Sequence, residues 1–186
     1  METPIEQPSR SLPTVQFPDD VLYLTHGELH FVKENEKYQY FNLGALGVEP
    51  FRLYKTTAQL FLNKFHQGLK EATKLVQTAV NQPLEDGCYY EGTVSENTDV
   101  LTGTKFQSRV VANVYKGIPS LALRSYVYLS EESLWHSTKR GVRLAIDQQE
   151  ANQIVAFINE KMKPPTSTIK RLPTIPQEPS PQEDEK

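Results

Sequence analysis

Between Leu121 and Leu129 two chemistries alternate along the chain. Leu121, Leu123, Val127 and Leu129 share one parity, and Arg124, Tyr126 and Tyr128 share the other, as the period of two in a half-buried strand requires. One face builds core; the other presents a guanidinium and two phenol rings. Such a face suits binding, because aromatic rings hold unstacked bases for roughly 1–3 kcal/mol each while cations track phosphates. Around it, Arg109, Tyr115 and Arg143 supply further charge and a ring, and Lys116, Trp135, Lys139 and Arg140 lie at strand ends or on a connection nearby. Trp135 fits a stacking role and a core or interface anchor equally well. In the first half of the chain Lys37, Tyr38, Tyr40, Arg52 and Tyr54 offer an equivalent surface. Each of these side chains also has a plainer reading, as solvated charge or as a strand-forming aromatic.

Other chemistry is thin. His26, Glu28 and His30 alternate on one strand face, yet no further ligand accompanies them, so a solvated edge is expected rather than a metal site. Gly44-x-x-Gly47 lacks the Lys-Ser/Thr of a phosphate loop and reads as a turn. Cys88 has no histidine beside it and reads as a small buried hydrophobe rather than a nucleophile. No acid–base pair stands out. The expectation is therefore a protein that is not an enzyme and that uses no cofactor or metal.

The elements that would position the basic and aromatic residues follow from periodicity. In the first half, strands are expected at Val21 to Leu24, Glu28 to Lys33, Lys37 to Leu43 and Phe51 to Lys55, separated by polar turns. Thr56-Thr57 offers an N-cap for a helix whose stripe is Phe61, Phe65, Leu69, Ala72, Leu75 or Val76, and Ala79. Gly68 within it costs about 1 kcal/mol relative to alanine and could divide it in two. The second half repeats the plan, with strands at Cys88 to Tyr90, Lys105 to Tyr115, Leu121 to Leu129 and Gly141 to Ile146. Ser95 to Thr104 reads as a turn or a long hairpin tip. Asp147 then caps a helix with the stripe Ala151, Ile154, Val155 and Ile158.

Phe51-Arg52-Leu53-Tyr54-Lys55-Thr56 and Val142-Arg143-Leu144-Ala145-Ile146-Asp147 occupy the same slot, each a short strand entering a helix through a capping residue. The predicted class is therefore α+β: two strand-strand-strand-strand-helix repeats, at 20–83 and 84–163, packed as an intramolecular pseudo-dimer. Residues 1–19 read as a flexible arm and 164–186, with six prolines, as a disordered tail with an acidic end.

Composition narrows the partners. The 186 residues are 38% hydrophobic and carry a formal net charge of −3, but the charge is uneven. Seven basic residues lie between Lys105 and Ile146 against two acids, Glu131 and Glu132. Glu178, Glu183, Asp184 and Glu185 face one lysine in the last ten positions. A basic patch beside an acidic tail implies an anionic partner for the fold, and a tail able to compete for it or recruit a protein. One cysteine excludes an intramolecular disulfide, and no stretch approaches the roughly 20 apolar residues of a membrane span. A soluble, intracellular protein is expected, without a secretory leader.

The span Val110 to Ile158 carries a Tyr-Lys-Gly turn, a Leu-x-Leu-Arg-x-Tyr strand, Trp135, and Lys139-Arg140-Gly141-Val142-Arg143-Leu144 before a Gln-rich helix start. It resembles the C-terminal domain of the positive cofactor 4 type of transcriptional coactivators. That resemblance covers about a quarter of the chain and implies a four-strand-plus-helix unit, used in pairs, that binds single-stranded DNA across the paired sheets. The first half lacks the Lys-Gly turn and the tryptophan. Two units in one chain are more similar to the Whirly and Pur-alpha groups, which also bind single strands.

Together these point to a non-catalytic binder of single-stranded nucleic acid, DNA before RNA, serving replication, recombination, repair or transcription. The alternative is a protein-interaction module that docks a partner on the same aromatic face and through its proline-rich tails. Whether pseudo-dimers assemble further into a homo-oligomer is open at this level.

Overall fold

The computed structural model describes residues 19–164 and resolves the periodicities into eight strands and two helices. The expectations for the proline-rich arm and the acidic tail fall on 1–18 and 165–186, outside the described residues. Strands β1 (Val21–Leu24), β2 (Gly27–Lys33), β3 (Gln39–Gly44) and β4 (Phe51–Tyr54) form one antiparallel sheet in chain order, followed by α1 (Lys55–Ala79). Strands β5 (Gly87–Thr98), β6 (Lys105–Tyr115), β7 (Ile118–Leu129) and β8 (Leu134–Leu144) form a second, followed by α2 (Gln148–Lys161). The architecture is α+β.

Alternation decides which side of each sheet is dry. Leu29, Phe41, Leu43, Phe51 and Leu53 share the inner face of the first sheet, and Val110, Ala112, Val114, Leu121, Leu123, Val142 and Leu144 that of the second; all are buried. Each helix packs on the sheet it does not follow. The α1 stripe lies across β5, β6 and β7, and its Gln67 accepts a 2.8 Å hydrogen bond from the Tyr90 hydroxyl. Helix α2 reaches the first sheet: Phe157 meets Phe41 edge-on, with ring centroids 6.1 Å apart, and Lys161 pairs with Asp20 at 2.8 Å. At its other end the buried Glu150 carboxylate accepts from the backbone N–H and the hydroxyl of Thr25, both at 2.7 Å. Its place in the first turn of α2 adds the favourable helix-dipole field. One hydrophobic cluster joins both sheets and both helices.

Several local expectations need correction. Strand β4 passes straight into α1 at Lys55, so Tyr54 takes the N-cap position without a side-chain bond and Thr56-Thr57 lies inside the helix. Asp147 does cap α2, accepting from the Gln149 and Glu150 N–H groups. Leu75 rather than Val76 faces the core, Ala79 is exposed, and Phe157 replaces the half-exposed Val155 in the α2 stripe. Strand β5 runs on to Thr98, shortening the hairpin tip, where the Asp99 carboxylate accepts from the Leu101 and Thr102 N–H groups. Strand β8 opens at Leu134 and so includes Trp135. Cys88 is exposed, not buried, because it sits at a bulge on the edge strand β5.

Gly68 does not break α1; it lets the helix approach the second sheet. A Cβ there would lie 2.8 Å from Val110 Cγ1 and 3.1 Å from Leu121 Cδ1. Alanine would add about 1 kcal/mol of helix propensity, whereas overpacking a filled core costs about 1–3 kcal/mol. Val110 is β-branched and fully buried, so it has little room to yield. Gly68→Ala is therefore expected to destabilise by up to about 2 kcal/mol, read as a lower urea midpoint at unchanged m; a raised midpoint would refute the close-packing account.

Candidate nucleic-acid interface

The outer face of the second sheet gathers most of the residues singled out by parity. Register pairs Arg109 with Arg124, Gln107 with Tyr126, and Tyr115 with Ile118; it sets Tyr128 against Trp135 and Ala122 against Arg143. All of these point away from α1. Two regions result, one at each end of the face.

The first is a groove of about 630 Å³ lined by Tyr115, Ile118, Arg124, Lys139 and Arg143 over a floor that includes Asn113 and Ser120. Ser120 donates a short hydrogen bond to Asn113 Oδ1. Gly141 leaves Arg124 space to lie along the sheet, since a Cβ there would come within 3.3 Å of Arg124 Cγ. Among the described residues, Arg124, Lys139 and Arg143 have no carboxylate partner. Lys116, at the tip of the β6–β7 hairpin, places its ammonium 5.4 Å from the centre of the Tyr115 ring.

The second region is aromatic. Tyr128 and Trp135 stand 5.3 Å apart between ring centroids, with the Lys105 ammonium 5.8 Å over Tyr128. Beneath them the Arg109 guanidinium lies 4.4 Å from the Tyr126 ring centre and 5.3 Å from that of Trp135. Arg109 also donates to Glu91 at 2.7 Å and to Gln107 at 2.7 Å. Burial, and then a hydrogen bond with Glu91, push the Tyr126 hydroxyl well above the ordinary tyrosine value. Tyr126 is 9% exposed, so it supports this face from below rather than offering a ring to a ligand.

Arg140 departs from the groove. Between Ser125 and Thr138 the β7–β8 register slips, and the Thr138 hydroxyl fills the gap by donating to the Ser125 carbonyl. Arg140 has the parity of the inward-facing Val142 and Leu144 and so points toward the first sheet, where it donates to the Pro50 carbonyl at 2.6 Å and lies 4.7 Å over the Phe51 ring. It ties the two sheets together.

On the first sheet, Tyr40, Arg52 and Tyr54 come together on the outer face: the Arg52 guanidinium is 4.4 Å over the Tyr40 ring and donates to the Tyr54 hydroxyl at 3.3 Å. Tyr40 is buried and donates to Glu34 at 2.8 Å, a bond that, with burial, raises its pKa. Lys37 and Tyr38 do not join this trio. They lie in the turn before β3, whose N–H groups bond to the Asn35 side chain. His30 pairs with Glu28 at 2.6 Å, and no metal-binding group of His, Cys, Asp or Glu occurs among the described residues.

Lys105 and Asn113 were not singled out in advance. The signal was present: Lys105, Arg109, Asn113 and Tyr115 share odd parity along β6, but the strand was not read by face. Comparison with protein-family models, with curated proteins and with solved structures finds no match for this chain.

The hairpin that carries Tyr115 and Lys116 is held from outside by Asp86. Lys116 and Gly117 both have positive φ, and their N–H groups donate to the Asp86 carboxylate at 2.8 and 2.9 Å. The Gly117 and then the Lys116 N–H hold the Asp86 carboxyl below the usual carboxylate range. A depressed folded-state pKa gives stability that is present above the unfolded value and lost as pH falls through the folded one. The melting temperature of the wild type should therefore exceed that of Asp86→Asn at pH 7, and the gap should close below about pH 4. A gap that stays constant across thermal melts from about pH 3 to 7 would remove the ionised clasp.

Proposed function

We propose that this protein is a non-catalytic binder of single-stranded nucleic acid, DNA in the first instance, and that the second sheet carries most of the contact. The observation that supports this best is the accounting of cations. Arg109 is neutralised by Glu91, Lys161 by Asp20, and Arg140 is spent on the Pro50 carbonyl. Among the described residues, Arg124, Lys139 and Arg143 have no carboxylate partner, and they line one groove beside the exposed ring of Tyr115. Unpaired cations next to accessible rings suit a flexible polyanion with unstacked bases. Both helices spend an apolar face on the core, which favours sheet over helix as the contact element.

In this proposal residues 20–83 and 84–163 are two copies of one β4-α unit, paired as an intramolecular pseudo-dimer. The exchange of helices between sheets supports it, as does the matched slot of Phe51-Arg52-Leu53 and Val142-Arg143-Leu144, each with buried flanks and an exposed arginine. No helix among the described residues is long and apolar enough to cross a membrane. Action inside the cell, in replication, recombination, repair or transcription, completes the proposal.

A second reading, a protein-interaction module, draws on Val100 and Leu101, which are 97% and 96% exposed at the β5–β6 tip. Fluorescence anisotropy with labelled oligo-dT, its duplex and the matching RNA separates the two. Single-strand binding should weaken steeply with salt, and Arg124→Ala, Lys139→Ala and Arg143→Ala should each flatten the slope of log K against log salt by about 0.7. Their melting temperatures should not move. Absence of binding at low salt favours the interaction module instead, and a preference for duplex overturns the single-strand reading.

A further inference from the structure

We propose that Arg109 is a positioning residue for the aromatic end of the second sheet, holding Trp135 and Tyr128 at the angle from which a base stacks, and that it makes no phosphate contact of its own. The role rests on the single-strand proposal and names the part of the surface that would take the base.

Four observations carry it. The Arg109 side chain is only 12% exposed, against 36% for its partner Glu91, so a phosphate would meet the rings before it met the guanidinium. Its charge is already satisfied, with Glu91 and Gln107 accepting at 2.7 Å each. Its plane serves two rings at once, Tyr126 at 4.4 Å and Trp135 at 5.3 Å, which a point-charge ammonium cannot do as well. Finally, Tyr128 stands against Trp135 in register, with Lys105 over its ring. Contacts therefore run from Arg109 to Trp135, from Trp135 to Tyr128, and from Tyr128 to Lys105. Lys105, exposed, is the cation placed to meet the phosphate beside a stacked base.

The test uses the full chain and its single tryptophan, which is Trp135. Three proteins are compared with wild type: Arg109→Lys, which keeps the charge and loses the plane; Arg109→Gln with Glu91→Gln, which leaves no orphaned carboxylate; and Lys105→Ala. A positioning role predicts that Arg109→Lys and the double variant both lose about tenfold or more in oligo-dT affinity, the worth of one base–aromatic stack, with the salt slope unchanged. Lys105→Ala should flatten that slope by about 0.7. Quenching of Trp135 emission by oligo-dT should vanish in both Arg109 variants. A slope flattened by about 0.7 in the double variant, or full rescue of affinity by lysine, makes Arg109 a phosphate contact and overturns the proposal.

Failure of single-strand binding itself is told apart without ligand. Acrylamide should quench Trp135 more strongly in free Arg109→Lys than in wild type, whatever the protein binds. Equal quenching in the two overturns the positioning role on its own.

Discussion

A four-stranded antiparallel sheet can hide only one face unless something covers the other, and each sheet here is covered by the helix that follows its counterpart. Everything else depends on that exchange. Gly68 brings α1 down onto Val110 and Leu121, while Phe157 brings α2 onto Phe41. The inner faces fuse into one hydrophobic cluster, and neither sheet keeps a dry face without the other half of the chain. The exposed side chains lie mostly on the outer faces, so strand parity is the first thing that separates core-building residues from the rest.

Charge then sorts the wet side chains. Surface ion pairs add little stability, but they withdraw cations from the pool available to a ligand. Arg109 is withdrawn by Glu91 and Lys161 by Asp20, while Arg140 is held by the Pro50 carbonyl and, at 3.8 Å, Glu49. Among the described residues, Arg124, Lys139 and Arg143 are not withdrawn. A net charge of −3 for the whole chain therefore says less about binding than the distribution of unpaired cations over one face, where a local positive field can attract a polyanion.

Much of this was legible in the residues. The strands of the first half, both helix stripes in outline and the Asp147 cap follow from spacing, and the alternation from Leu121 to Leu129 places Arg124, Tyr126 and Tyr128 on one face, as register confirms. What escaped depends on contacts distant in sequence. Tyr126 lies on the expected face yet is buried, because Arg109 from the neighbouring strand lies over it. Arg140 follows Lys139 in a basic pair; alternation gives Arg140 the parity of the buried Val142 and Leu144, but that it meets the Pro50 carbonyl there depends on the other sheet. The depth of Gly68 depends on a sheet that starts about twenty residues later. Parity assigns a face; it does not assign depth, and it loses count at a bulge.

The two sheets also differ in a way that composition conceals. Arg52 over Tyr40, with Glu34 on the tyrosine hydroxyl, repeats the arrangement of Arg109, Tyr126 and Glu91. That stack is common to both faces, so it cannot by itself be what makes the two differ. Strand length separates them: β4 has 4 residues and β7 has 12, a difference of roughly 25 Å at about 3.3 Å per residue. On the first sheet the stack consumes the whole outer face of β4. On the second it occupies one end, leaving a further stretch of β7 and of its neighbour β8 on which Arg124, Lys139 and Arg143 have no carboxylate partner among the described residues. Extra length, rather than a different set of residue types, is what gives the second sheet room for both a buried support and an open cationic groove.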